Sequence, residues 1–493
     1  MSATLTVREP EAGAERLSLW QKLGYGLGDI YGGGSGVIIS FYYLVFLTDV
    51  VRISPGLAGT VILISKVYDS VTDPFEGILT DRTRTRLGRR RPYLLAGIPL
   101  VFLSFLGLFY PIDLAQELHR FLFVVGTYLF FSTVVSIVML NYNALQSELT
   151  LDYDQRTALS SFRIFFSTVS SILCALLPLE IVGAFPDVRS GYVVMGLAFG
   201  TLFALPFIAT VVASRERKEF QRPPEPFDWR EAFLEPWQMR TFVYTLAMYL
   251  LAFVAMDTVS SIVVYFMKNY LGRGGEASFV SGTLLVAQVV SLPFYVWISK
   301  RTSKRAGYLI GAAVWMVSML FSFLIMPGLP GFVVYLFATV VGLGTGGIII
   351  MIYAIFPDIP DIDELKSGQR REGIYSALFT FTRKLSSAFA LFLVSNAIAL
   401  AGYLPPLEQV VDGATTLIEQ PQSGTFLLVL RLVFALVPIV LLAAALIFAR
   451  RFPLTPQVHE RLRRVLARRR SGAPESDEER REAQELERLL IGG

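Results

Sequence analysis

Residues 58–75 read AGTVILISKVYDSVTDPF, and residues 281–298 read SGTLLVAQVVSLPFYVWI. The two segments align at an offset of 223 residues, 58 onto 281. Each is followed by a basic turn and a similar restart, RRRPYLLAG at 89–97 and SKRAGYLIG at 303–311. Each segment has about the length that crosses a bilayer, some ~20 mostly apolar residues. A spanning segment repeated together with its basic turn predicts two membrane-embedded halves of one architecture, a parallel repeat as in rocking transporters.

Composition points the same way. The chain has 493 residues, 53% of them hydrophobic and only 17% charged, where a soluble domain carries roughly 25% charge. So much apolar side chain requires lipid as a solvent. That excludes a soluble enzyme, a disordered chain and a nucleic-acid binder. The net charge of +4 is too weak to imply a polyanionic partner, so no nucleic acid is expected. Cys174 is the single cysteine, and His119 and His459 are the two histidines. An internal disulfide, a His/Cys metal centre and a haem are therefore excluded. No cofactor is expected beyond a coupling cation, and the scarcity of nucleophile–base candidates argues against an enzyme.

Twelve spans are predicted, at 24–48, 56–80, 93–112, 121–148, 158–182, 191–213, 241–268, 277–299, 307–326, 331–356, 374–402 and 425–449. No strand pattern is visible. The expected organisation is a cytoplasmic segment 1–22, a six-span half 23–213, a cytoplasmic linker 214–240, a second six-span half 241–450 and a cytoplasmic tail 451–493. Residues 1–22 are polar and mixed in charge, without the layout of a cleavable signal. Lys and Arg gather in the loops after spans 2, 8 and 10, whereas 403–424 and 327–331 have none. The positive-inside rule then puts both termini in the cytoplasm of a multi-pass protein of the cell (inner) membrane. In the tail, 457–470 is basic and amphipathic, which predicts a helix against the inner leaflet. Residues 475–490 mix Glu and Arg, which predicts a solvated helix, and deletion of 471–493 is expected to spare transport. Ser54 and Pro55 read as a helix cap and first-turn proline. Glycines cluster at 32–36 and 342–347, which lets helices approach closely and also weakens them as a gate would require.

Charge inside the membrane carries the functional reading. A carboxylate at the bilayer centre costs at least about 2.5 kcal/mol, so it should face a cavity or a partner. Asp69 and Asp73 stand four residues apart in span 2, one turn and about 6 Å of rise along a single face. Like charges that close repel unless a cation sits between them or one takes a proton. Thr72 adds a hydroxyl, and Pro74 frees the carbonyl of Ser70; oxygens of these kinds suit a hard cation. The repeat has Leu292 and Val296 at the matching positions, so the architecture does not demand the acids. The plainer alternative is that they pair with Lys66, Lys384 or Arg383. Span 11 brings Arg383 and Lys384, one as a counter-charge to span 2 and the other as a solute or loop contact. Asp29, Arg163 and Asp257 are further single charges inside spans 1, 5 and 7, each a binding group or a buried structural hub.

Four stretches carry a family resemblance: LGYGLGD at 23–29, KVYDSVTDPFEGILTDRTRTRLGRRRPY at 66–93, NYNALQSELTLDYDQRTALSSFRIFF at 141–166 and FPDIPDIDELKSGQRREGIYSALFTFTRKLSSA at 356–388. Through them the chain resembles the glycoside–pentoside–hexuronide:cation symporters of the major facilitator superfamily. The resemblance implies an all-α integral membrane protein with the major facilitator fold, twelve transmembrane helices in two six-helix halves. It implies symport of a small organic solute, a sugar or glycoside, with Na+ or H+, by alternating access. Asp69 and Asp73 would bind the cation, and would be the metal ligands if that cation is Na+; Thr72, Ser136 and Lys384 would assist. Asp81, Arg82, Gly88, Arg89 and Arg90 match a cytoplasmic gate. Asp29, Tyr142, Asn143, Arg163, Asp257 and Thr380 are the solute-binding candidates. The melibiose pattern is departed from at Gly33, Met139, Asn143 and Ile349, where its acids and tryptophans would stand. Related lysolipid carriers make an amphiphile the alternative cargo. The expected partners are the solute, the cation and the bilayer, and the expected state is a monomer.

Overall fold

The chain is described by a computed structural model over residues 17–150, 152–216, 235–368, 371–411, 413–471 and 476–492. Most of segment 1–22 and of linker 214–240 therefore lies outside the described residues. The chain opens with α1 (Leu19–Leu27) and α2 (Asp29–Ile38), continued by π-helical turns at Ile39–Tyr43 and Phe46–Val50. Ser18 and Gln21 form a capping box at the start. Then follow α3 (Pro55–Arg82), α4 (Arg91–Leu108), α5 (Glu117–Leu149), α6 (Tyr153–Gly183), α7 (Val188–Ala204) and α8 (Pro206–Ala213). The second half holds α9 (Arg240–Tyr265), α10 (Ala277–Arg301), α11 (Lys304–Phe321), α12 (Gly331–Ile355), α13 (Ile359–Ser367), α14 (Glu372–Leu400) and α15 (Gly424–Arg451). Among the described residues, ten helices are long and apolar enough to cross a membrane. The segment from Leu19 to Val50, divided at Gly28, and the charge-bearing α3 are not among the ten.

Why these segments pack as they do is clearest in α3. Val67, Val71, Phe75 and Leu79, four residues apart, are all more than half exposed. That spacing is one stripe of a helix surface, and its natural solvent is hydrocarbon. Lys66, Asp69, Asp73, Glu76 and Thr80 lie on the other side, with Asp69, Glu76 and Thr80 buried. The helix is thus amphipathic in reverse, apolar outward and charged inward. Pro55 occupies its first turn, but Ser54 caps nothing with its hydroxyl; its backbone N–H instead donates to Glu117 Oε1 at 2.6 Å.

Glycine serves packing. A Cβ on Gly344 of α12 would stand 2.6 Å from the backbone nitrogen of Trp315, and one on Gly311 of α11 would stand 2.8 Å from the Gly344 carbonyl. The two backbones touch, which side chains at these positions would forbid.

At the end of the bundle opposite the basic loops, ion pairs join the two halves. Asp49, 1% exposed, accepts from Lys268 Nζ at 2.6 Å and from Tyr403 Oη at 2.7 Å. Lys268 also meets Glu419 at 2.6 Å. Arg52, held at φ 61, pairs with Glu408, which also takes Arg189 at 2.7 Å. Glu408 belongs to a feature that hydrophobic patterning missed: β1 (Leu407–Val411) and β2 (Ala414–Ile418) form an antiparallel hairpin. The backbone N–H of Thr415 donates to Asp187 Oδ1 at 3.1 Å. The Ser190 hydroxyl, with the N–H groups of Ser190 and Thr415, holds the Asp187 carboxyl below the usual carboxylate range. The hairpin thereby straps the second half across the first.

The tail also departs from expectation. Helices α16 (Pro456–Arg470) and α17 (Asp477–Leu490) pair with each other, Arg461 on Glu482 and Glu485. They bury Leu462, Leu466, Leu486 and Leu490. Arg470 pairs with Glu364 of α13, and His459 lies 3.6 Å from Asp358. The Ile491 carbonyl accepts from Arg240 N at 2.9 Å and that of Leu490 from Thr241 Oγ1 at 2.6 Å. The apolar face of the tail is docked on the second half, while Arg463, Arg464 and Arg468 stay exposed. Burying one such leucine contributes roughly 1.5–3 kcal/mol. A chain ending at Ser471 should therefore melt at a clearly lower temperature in detergent, measured by tryptophan fluorescence. An unchanged melting temperature would show that the docked tail contributes nothing to stability.

Candidate functional site

Between the halves lies a cavity of about 530 Å3. Elements from both halves line it: α2 and its π turns, α3, α5 and α6 on one side, α9, α10, α11, α12 and α14 on the other. Its wall carries a charged strip from Lys66, Asp69 and Lys384, with Ser132 and Ser136 beside it. Asp69 is almost wholly buried. Its Oδ1 accepts from Ser132 Oγ at 2.6 Å and its Oδ2 from Lys66 Nζ at 2.9 Å. Lys384 reaches across from α14, donating to Asp73 Oδ2 at 2.6 Å and Ser136 Oγ at 3.0 Å, and standing 3.7 Å from Asp69 Oδ2. Both lysines named by the plainer alternative do pair with the acids. The pairing leaves Asp69 on the cavity wall with Lys66 and Lys384, whereas Asp73 stands behind it, off the lining.

A second ion pair lies on the same wall. Arg383 donates to both oxygens of Asp257, at 2.5 and 3.0 Å, and its guanidinium lies 4.7 Å from the Phe253 ring centre. A fork of this kind is planar and rigid. Hydroxyl and amide groups fill other stretches of the wall: Ser171, Ser260, Gln288 and Thr345. Trp315 reaches the wall as well, through the glycine seam of α12, and its indole N–H has no partner among the described residues.

Several expected site residues lie elsewhere. Thr72 turns away from the acids and donates to the Tyr68 carbonyl of its own helix at 3.1 Å. Thr380 is exposed and donates to the Ser376 carbonyl. Asp29, Tyr142 and Arg163 form a hub inside the first half, outside the cavity wall. Arg163 Nε meets Asp29 Oδ2 at 3.1 Å, and its guanidinium lies 5.2 Å from the Tyr142 ring centre. Tyr25 and Tyr142 stack at 4.8 Å, and Tyr142 Oη donates to the Tyr25 carbonyl at 2.9 Å. Each polar group there is satisfied by a neighbour of the same half, so the hub leaves little for a solute. Asn143 is exposed and off the wall. Of the six solute candidates only Asp257 lines the cavity.

The gate residues also close on their own half. Arg89 pairs with Glu148 at 2.7 Å, and Arg90 pairs with it at 3.2 Å. Arg90 also donates to Thr80 Oγ1 at 3.1 Å. The Glu216 carboxylate accepts from the backbone N–H groups of Arg89, Arg90 and Arg91 at 2.5, 2.8 and 2.7 Å. This is the anion-binding start of α4, where unpaired N–H groups favour negative charge. Gly88, at φ 110, makes the turn that presents them. Arg82 is exposed, and the side chain of Asp81 lies outside the described residues. One acid of the inward stripe escaped the sequence reading: Glu76, 8% exposed, seven residues after Asp69. Its signal was its place on the same helical face.

The comparisons with known proteins agree with this arrangement. A family model described as MFS/sugar transport protein matches residues 24–456. An uncharacterized symporter of Synechocystis sp. is 28% identical over 92% of this chain and 98% of its own. The isoprimeverose transporter of Lactiplantibacillus pentosus is 26% identical over 78% of this chain and 81% of its own. The sodium-dependent lysophosphatidylcholine symporter 1 of Gallus gallus is 20% identical over 94% and 92%. Among solved structures, the nucleoside transporter NupG superposes with a TM-score of 0.57 at 12% identity, over 88% of this chain and 98% of that one; it shares the fold. A fold of two helical halves about a central cavity, with a family match over nearly its whole length, makes this chain a multi-pass membrane transporter that belongs to the MFS/sugar transport protein family.

Proposed function

We propose that the protein is a cation-coupled symporter of a small polyhydroxylated solute, a sugar or glycoside, working by alternating access. The observation that carries the reading is the ion pair from Lys384 to Asp73, with the hydrogen bond from Lys384 to Ser136, joining the halves beside the cavity. It ties a helix of the second half to two helices of the first. A cation arriving at Asp69 and Asp73 competes with Lys384 for the same oxygens, so ion occupancy and the relation of the halves are linked. An acid pair left without a counter-charge resists closure, because removing one partner of a buried pair costs about 3–5 kcal/mol.

The solute class is read from the wall. Serine, threonine and glutamine side chains offer donors and acceptors to hydroxyls, and Arg383 with Asp257 offers both kinds at once. A volume of about 530 Å3 falls in the range of about 300–1,000 Å3 of small-molecule sites. Relatives named for isoprimeverose and for lysophosphatidylcholine set sugar against amphiphile. The apolar remainder of the wall, Phe41, Phe131, Met256 and Ile349, is what an amphiphile would use. One cation moving inward contributes about 2.3 kcal/mol per 100 mV. That corresponds to roughly fifty-fold accumulation of a neutral solute, at about 1.4 kcal/mol per tenfold. The extracellular strap and the pairing of the basic loops within each half support an arrangement open to the cytoplasm.

Counterflow in proteoliposomes, with sugars, glycosides and lysolipids in Na+ and in Na+-free acid buffer, tests the class and the ion together. Asp69→Asn and Asp73→Asn should each abolish cation-driven accumulation while leaving the protein in the membrane. Uphill uptake at the native rate by both variants would refute coupling at this pair. Trp315→Phe should raise KM about tenfold, the loss of one hydrogen bond of about 1.4 kcal/mol, with little change in kcat. An unaltered KM would remove Trp315 from the solute site.

A further inference from the structure

The charges of the inward stripe of α3 do not balance. Fully ionised, Asp69, Asp73 and Glu76 would carry three negative charges, and Lys66 and Lys384 supply two positive ones. Arg383 contributes nothing here, because both arms of its fork are spent on Asp257. One negative charge is left over on a buried face. Where it sits is indicated by two oxygens. Asp73 Oδ1 and Glu76 Oε2 are each sealed from solvent and have no hydrogen-bond partner among the described residues. The other oxygen of Asp73 is held by Lys384, and both oxygens of Asp69 are taken. Positions three apart on a helix share a face, so the two free oxygens look onto the same strip. The charged groups around Glu76 are Asp73, Lys384 and Asp69; one turn further on, Arg90 is bound to Thr80 and Glu148.

We propose that Glu76 is a third carboxylate of the coupling-ion site, and that the transported cation neutralises the single charge left on Asp73 and Glu76. The inference rests on the coupled-symport reading and places the ion one turn nearer the basic end than Asp69. An uncompensated carboxylate buried in a low-dielectric strip is expensive, and a monovalent cation or one proton removes that cost. A second monovalent ion would restore the imbalance with the opposite sign. The stoichiometry is therefore one cation per cycle, and the ion enters from one side, is bound without covalent change and leaves on the other. The separation along the helix also limits the ion's shell. Among the described residues no three acids converge closely enough to hold a metal ion, so at most two carboxylates meet the cation.

The test uses the full-length protein in lipid nanodiscs and two probes, sodium chloride alone and a small acid pulse in weak buffer. Wild type should bind one sodium ion in the first arm or take up one proton in the second. Glu76→Gln, which keeps shape and removes charge, should weaken that uptake at least tenfold, about 1.4 kcal/mol, with Glu76→Asp retaining most of it. A thermal melt of each variant checks folding, and Glu76→Asp carries the comparison if Glu76→Gln does not fold. Wild-type affinity in Glu76→Gln, beside loss of binding in Asp73→Asn, would overturn the role of Glu76 and leave the acid pair intact. Binding unchanged in Asp69→Asn and Asp73→Asn alike would overturn the coupled reading itself.

Discussion

The ion pair between Lys384 and Asp73 is the contact on which the arrangement turns. A carboxylate inside a bilayer has two tolerable states, paired or neutralised. Here the pairing partner stands on the opposite half of the molecule. In the proposed alternating-access cycle, a bond with this geometry would not persist unchanged as the halves move, which would link the chemistry of one side chain to a motion of the whole bundle. Lys66, three residues before Asp69 on the same helix, does the opposite work. Its pair lies within one helix and moves with it. One lysine holds the site together and the other connects it to the other half.

The same logic separates the functional charges from the structural ones. Asp29 and Arg163 are satisfied within the first half, and Arg89, Arg90, Glu148 and Glu216 likewise. Contacts of that kind give each half rigidity and are indifferent to rocking. Asp49 with Lys268, and Glu408 with Arg52 and Arg189, cross between halves at the far end. Those must break for that end to open. Whether a bond crosses the halves is a property that the depth of its residues in the membrane does not reveal.

This explains how far the sequence was legible. Span length discloses the all-helical membrane architecture, because lipid imposes a length on every crossing. Asp69 and Asp73 are legible because two acids one turn apart have no cheap explanation inside a membrane. Asp29 and Arg163 misled because each is costly alone and cheap together, and nothing in their separation along the chain shows that α2 and α6 bring them within 3.1 Å. Thr72 misled because a hydroxyl in a helix has a carbonyl one turn back always within reach. Glu76 was legible and overlooked, since it repeats the face of Asp69 after seven residues. The tail held its own signal in Leu462, Leu466, Leu486 and Leu490, whose spacing of four within each helix marks an apolar stripe under the charges. The hairpin at 407–418 gave less, because its strands are short, largely exposed and held by cross-half ion pairs.

The solute side shows a different economy. The tryptophan positions of the related melibiose pattern read as Asn143 and Ile349 in this chain, yet an indole still reaches the cavity. It comes from α11, a neighbour of α12, and it reaches the wall because Gly344 leaves room for the backbone of Trp315. A ring supplied from behind a glycine seam depends on that seam. Any side chain added at Gly344 would press on the backbone and Cβ of Trp315 and displace α11 and the indole with it. The glycine cluster at 342–347 thus sets the spacing of α11 and α12 and with it the position of the ring behind the wall.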